Sequence, residues 1–132
     1  AITQVLKTVR PMTQKRLIHV FGSAGLRDHT KRPLMGNASA EFADIIILTE
    51  EDHRTEDVNQ IIGEIASGIP PDKQVHKYPN REEAIAFALQ SAQPGDTVIM
   101  TGKGHEESLC RGTVEYPWSD QEIVKKIIKK LK

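Results

Sequence analysis

"RLIHVFGSAGLRDHTKRPLMGNASAEFADIIILT", residues 16–49, carries the pattern that decides the fold. An apolar run, "RLIHVFG" (16–22), breaks into a polar, glycine-bearing loop, passes through a stretch of helical composition and emerges as a second apolar run, "ADIIILT" (43–49). Both runs are short, rich in β-branched residues and without strict alternation, as expected of strands covered on both faces. Pro33 falls in the first turn of the intervening helix, where its missing amide is no loss. Strand, helix, strand in this order is a βαβ unit, and the sheet should be mainly parallel.

The same alternation continues outward. "QVHKY" (74–78) is a weaker strand and "DTVIMTG" (96–102) a strong one. "TEDVNQIIGEIASG" carries Val58, Ile61, Ile62 and Ile65 on one helical face, with Thr55 a cap candidate and Gly68 suited to its stop. "NREEAIAFALQSAQPG" opens with Asn80 and Glu83 at capping-box spacing, and "SDQEIVKKIIKKLK" repeats the signal with Ser119 and Glu122. That last helix should bury Ile123, Val124, Ile127, Ile128 and Leu131 behind a solvated lysine face. "ESLCRGTVEYPW" (107–118) reads as two extended pieces about Arg111–Gly112, a hairpin at the sheet edge anchored by Tyr116 and Trp118. At the front, Val5, Leu6 and Val9 give a short helical face before Pro11. The chain starts without methionine on a helix already under way, which suggests a processed terminus or a domain of a longer protein. Residues 1–132 read as a single α/β domain: a mainly parallel sheet flanked by helices, with a C-terminal hairpin.

Composition excludes several classes. Basic and acidic residues number 18 each, so no global field draws in nucleic acid or an acidic membrane. Aromatic residues are too few for base-stacking platforms. No apolar run approaches the roughly 20 residues of a membrane span, and the N-terminus lacks a signal-peptide core. Cys110 is the single cysteine, which fits a reducing compartment and a packing role; a cytoplasmic protein is expected. The five histidines show no paired-ligand spacing, so no metal site is expected.

In an open parallel sheet, ligands bind outside the carboxyl ends of the strands. Three segments leave those ends: "GSAGLRDHTKR" (22–32), "TEEDHRTED" (49–57) and "TGKGHEE" (101–107). They hold the most unusual polar residues of the chain, whereas the opposite rim receives plainer turns such as "SGIPPDK" and "SAQPGD". Each loop has a bland reading. The first is a tight turn that matches neither a dinucleotide fingerprint nor a GxxxxGK[ST] phosphate loop. The second is a charged helix entrance in which Arg54 could be a surface ion-pair partner. The third packs Lys103, His105 and Glu106 around Gly104, more chemistry than a solvated turn requires.

Taken together and in order, "VFGSAGLRDHTKRPLMG", "DIIILTEEDHRTED" and "GDTVIMTGKGHE" resemble the C-terminal domain of the Mur ligases, most of all the UDP-N-acetylmuramoyl-tripeptide synthetase (MurE) type. The resemblance runs from about the first strand to the last helix. It implies a Rossmann-like domain that brings the incoming amino acid to an ATP-dependent peptide ligase of peptidoglycan synthesis. In such enzymes ATP phosphorylates the carboxylate of UDP-MurNAc-dipeptide, and the amine of the third residue, meso-diaminopimelate or L-lysine, attacks the acyl phosphate. ATP and Mg2+ would be held mainly by an N-terminally placed central domain, since this chain has no phosphate loop; the isolated domain is expected to be inactive, to hold no cofactor and to be monomeric.

Carried over by position, Arg27 matches an arginine that binds a carboxylate of the amino acid. Arg54 ends the diaminopimelate-recognition motif DNPR and would grip the side-chain carboxylate. Asp52 stands at that motif's asparagine. Gly102 and Glu106 match positions that contact the substrate's other polar end, where a carboxylate suits an ammonium. Lys103 and His105 would shape the loop or face the nucleotide side. The catalytic step is assigned to no residue. DNPR appears here as Glu51-Asp52-His53-Arg54: the arginine favours diaminopimelate, whereas the extra carboxylate at position 52 would suit lysine. Leu26 stands where an aspartate is usual, and Glu107-Ser108 replaces an aromatic-containing continuation after KGHE. Two alternatives remain open: a superfamily ligase of polyglutamate or cyanophycin type, and a freestanding, non-catalytic amino-acid-binding module.

Overall fold

A computed structural model describes residues 2–103 and 106–131. The elements alternate as the sequence implies. Helix α1 (Ile2–Val9) and a 3-10 turn (Arg10–Met12) lead to β1 (Leu17–Phe21), α2 (Lys31–Phe42), β2 (Ile45–Leu48), α3 (Val58–Ala66), β3 (Gln74–Lys77), α4 (Arg81–Ser91) and β4 (Thr97–Met100). A hairpin, β5 (Ser108–Arg111) and β6 (Val114–Pro117), precedes α5 (Asp120–Leu131).

The sheet has the order β3-β2-β1-β4, all parallel, with Ile18 opposite Ile45, Leu17 opposite Thr97 and Ile45 opposite Gln74. Alternate side chains of β1 and β2 feed two cores, because successive residues of a strand point to opposite faces. Phe21, Ile46 and Leu48 pack with Ile61, Ile62 and Ile65 of α3, while Ile18, Val20, Ile45 and Ile47 pack with Ala84 and Ala88 of α4. The central pair is buried at every position. β3 and β4 are not: Gln74 and Lys77 are exposed and β4 is half-buried throughout, because the strand order puts both at edges.

Local chemistry sets most boundaries. Asn80 and Ser119 accept the amides of Glu83 and Glu122 at the starts of α4 and α5. Asp57, not Thr55, caps α3 by accepting the Asn59 amide. Of the apolar side chains of α5 only Ile127 is buried; Ile123 and Val124 are half-buried and Ile128 and Leu131 exposed, since α4 is the one helix against which α5 makes substantial contact. The hairpin is a two-stranded sheet of its own, tied to the loop after β2 by a parallel bridge between Arg54 and Arg111 rather than added to the edge of β4. Among the described residues no helix is long and apolar enough to cross a membrane.

Candidate functional site

Because all four strands run the same way, the loops after β1, β2 and β4 lie on one rim. The chain steps from β1 to β2 and β3 on one side, then returns to place β4 on the other side of β1. This reversal opens a crevice between the loops after β1 and β4, the topological switch point at which open α/β sheets bind ligands. A cavity of about 580 Å³ sits there, lined by Gly22, Glu51, Thr101 and Gly102 on the sheet side and by Ile2, Val5, Lys31, Leu34 and Met35 on α1 and α2.

Two glycines let the rim close up. A Cβ on Gly25 would come within 1.9 Å of the His53 carbonyl oxygen, and the Gly25 amide donates to the Asp52 carbonyl at 2.9 Å. Gly102 has φ +99°, and a Cβ there would meet the Glu51 carboxylate at 2.6 Å. Below them, His19 of β1 spans Ser39 (2.7 Å) and Thr101 (2.9 Å) through its two ring nitrogens and stacks on Phe21. Burial, then the positive charge of Arg81, pushes its pKa down to about 3, so it stays a neutral strut under the site.

Asp52 is the hub of the rim. One carboxylate oxygen accepts from Lys103 Nζ (2.9 Å), the other from the Cys110 amide (2.8 Å), and its carbonyl accepts from Gly25. Three segments distant in the chain thus meet on one residue, itself held at φ 38°. Lys103 is 2% exposed, so its charge is spent on Asp52 within the protein. The extra carboxylate of the altered DNPR segment is therefore compensated, and the rim gains no net negative charge from it.

The other predicted residues take different positions. Arg27 is exposed and Arg54 half-buried; neither has a carboxylate within ion-pair distance among the described residues. Arg54 lies in the left-handed region at φ 56°. Glu106 is exposed, and Gly102 lines the cavity. Gly104 and His105 lie outside the described residues. The structure joins the segments carrying Arg27, Arg54 and Lys103 at Asp52, through the Gly25 amide and the Lys103 side chain; among the described contacts none joins the Arg27, Arg54 and Glu106 side chains to one another.

Sequence reasoning missed three groups. Glu51 lines the cavity, and burial raises its pKa to about 6; the neighbouring Asp52 and Glu106 also push it up, against the pull of Arg81 and Lys103. Second, Arg81, fully buried, grips Asp120 with Nε and NH2 (2.9 and 2.8 Å) and donates to the carbonyls of Glu50 and Thr101. Glu50 in turn takes both prongs of Arg111 at 2.8 and 2.7 Å. Charged residues 31 to 61 positions apart give no local pattern from which this network could be read. Third, His29, Glu56 and Glu64 bring ligand-type atoms within 4.8 Å of one another. The buried Arg32 guanidinium occupies that cluster, 2.6 Å from Glu56 and 2.7 Å from Glu64, so the carboxylates already hold a cation.

The Mur ligase, glutamate ligase domain family matches residues 1–104. The chain is 41% identical over 128 residues to the UDP-N-acetylmuramoyl-L-alanyl-D-glutamate--2,6-diaminopimelate ligase of Lawsonia intracellularis, covering 97% of this chain and 27% of that protein. It is 46% identical over 122 residues to the enzyme of the same name from Synechococcus elongatus, covering 92% and 24%. A solved structure of a ligase of that name superposes with a TM-score of 0.94 at 38% identity over 98% of this chain and 27% of the other. The chain spans about a quarter of the length of the curated relatives it matches. With the parallel sheet, the switch-point cavity and the three rim loops in the order of the family's motifs, the chain belongs to the Mur ligase, glutamate ligase domain family.

Proposed function

We propose that residues 1–132 act as one domain, the amino-acid-binding domain of a cytoplasmic, ATP-dependent ligase that joins meso-diaminopimelate to UDP-MurNAc-dipeptide as the third residue of a peptidoglycan precursor. The observation that carries this reading is the pair of arginines, Arg27 and Arg54, left without carboxylate partners among the described residues on a rim whose other described guanidiniums, those of Arg32, Arg81 and Arg111, are each ion-paired, as is the Lys103 ammonium. Two guanidiniums are matched to two carboxylates, and Glu106 and Glu51 offer negative charge to an ammonium. A zwitterion with one carboxylate fewer, such as lysine, would leave one guanidinium unpaired.

Chemically, the domain's share is positioning. It holds the amino acid so that its amine faces the activated carboxyl carbon, and closure of the full ligase excludes water from the reaction. ATP supplies the activation. No GxxxxGK[ST] loop exists in this chain to cradle its phosphates, so ATP and Mg2+ are assigned to the parts of the ligase that this chain does not comprise. No nucleic-acid or membrane partner is proposed.

The test is turnover by the ligase carrying this domain, with UDP-MurNAc-dipeptide, ATP and either meso-diaminopimelate or L-lysine. The wild type should prefer diaminopimelate. Arg54→Ala should lower kcat/KM for diaminopimelate by about 100-fold, in line with the loss of a charge-assisted pair of hydrogen bonds, and leave lysine nearly unaffected. A variant that still prefers diaminopimelate rejects the role of Arg54; a wild type that uses neither amino acid rejects the function.

A further inference from the structure

We propose that the β5–β6 hairpin is a clasp that presets Arg54, with Arg111 as the positioning residue that closes it. The proposal rests on the reading of Arg54 as the ligand of a side-chain carboxylate. Its grounds are the backbone geometry around that residue. Arg54 and Asp52 both hold left-handed backbone angles, φ 56° and 38°; aspartate tolerates this region, but a long side chain such as that of Arg54 is rare there and is held by its surroundings. Position 53, between these two residues, is a histidine, whose φ no ring locks.

The enforcing contacts come from the hairpin. Gly112, itself at φ 64°, donates its amide to the Arg54 carbonyl at 2.7 Å, and the Arg54 amide points to the Cys110 carbonyl at 3.5 Å. The next hairpin amide, that of Cys110, bonds Asp52. Leu109 and Cys110 of β5 are buried and seat one strand, but β6 is exposed throughout, and a two-stranded ribbon has little stability by itself. Arg111 ties it down: its guanidinium grips the buried Glu50 carboxylate with two parallel bonds while lying over the Tyr116 ring at 5.5 Å. Glu50 is fixed from the other side by the Arg81 amide at 2.9 Å. Arg111 therefore fixes the hairpin, and with it the turn that carries Arg54. It acts on the substrate only through Arg54, by holding the turn in one state so that binding need not order it.

The conservative substitution Arg111→Lys keeps a positive charge beside Glu50, so the fold persists, but it loses the planar fork. Hydrogen exchange in this chain should accelerate about tenfold or more at the Arg54 and Gly112 amides, with the β1 and β2 amides unchanged. In the ligase, KM for meso-diaminopimelate should rise about tenfold with kcat within about twofold, while KM for L-lysine stays put. Arg111→Met should give the same pattern, larger. Unchanged exchange at Arg54 overturns the clasp. Faster exchange with an unmoved KM reduces the hairpin to a structural element and overturns the positioning role. A wild-type ligase indifferent to diaminopimelate overturns the substrate reading and the selectivity it lends Arg111, and the exchange result still decides whether the hairpin holds Arg54.

Discussion

At the residue scale, Glu51 stands apart from the other acids of the rim. Asp52 carries a lowered pKa despite burial, because the Cys110 amide and Lys103 bond its charged form. Glu51 lines the cavity with no hydrogen-bond partner among the described contacts, and its pKa is pushed up to about 6 from 4.5 chiefly by burial. A raised carboxylate means the folded protein binds the proton more tightly than the unfolded chain does. The stability due to this group is therefore complete below pH 4.5 and lost as pH rises through about 6. The magnitude is about 2 kcal/mol. Glu51→Gln should consequently raise the urea midpoint at pH 7.5 and leave it nearly unchanged at pH 4; equal effects at both would show that Glu51 titrates normally. His19 works in the opposite sense. Its lowered pKa makes a contribution that is full above pH 6.5 and lost as pH falls toward 3. The signal for Glu51 was absent from the sequence, because an acid in an acidic run looks solvated until its packing on Gly102 is known.

At the scale of elements, the rim depends on backbone-to-backbone approach. Gly25 is held against His53 closely enough that an added methyl would overlap its carbonyl oxygen. Gly25→Ala must push the loop after β1 off the loop after β2, at a cost of about 3 kcal/mol, read as a lowered denaturant midpoint. An unchanged midpoint would mean the two loops are not locked together. The strand–helix alternation that predicts these loops was legible because burial on both faces leaves short β-branched runs and because caps such as Asn80 and Ser119 act locally. What escaped were features set by neighbours in space. β4 reads as a strong apolar strand but is only half-buried at an edge, Asp57 rather than Thr55 caps α3, and the hairpin docks on Arg54 instead of extending β4. Strand order and docking depend on pairings that no local pattern encodes.

For the molecule as a whole, the buried ions tie the layers together. Arg81 at the start of α4 joins Asp120 at the start of α5 to the carbonyl ends of β2 and β4, and the Trp118 indole adds a bond to the same Asp120 at 2.7 Å. Arg81→Ala would leave Asp120 buried without its cation, and the loss should be about 3–5 kcal/mol, measured by urea unfolding. A loss under 1 kcal/mol would mean water replaces the guanidinium freely. The same framework sets the rim loops around the cavity at the switch point. The order of strands and helices along the chain and the polarity of the loops made the choice of rim legible; the family motifs added the kind of ligand to expect there, where composition alone reached no further than an α/β domain with a polar rim. The account stands or falls on whether that rim takes a dicarboxylic amino acid, and an amide-resolved NMR titration of the chain with meso-diaminopimelate, then L-lysine, asks this most directly. Shifts confined to residues 25–32, 52–55 and 102–106, larger and at lower concentration for diaminopimelate, are the predicted result; lysine binding as strongly, or shifts gathered elsewhere on the surface, would contradict it.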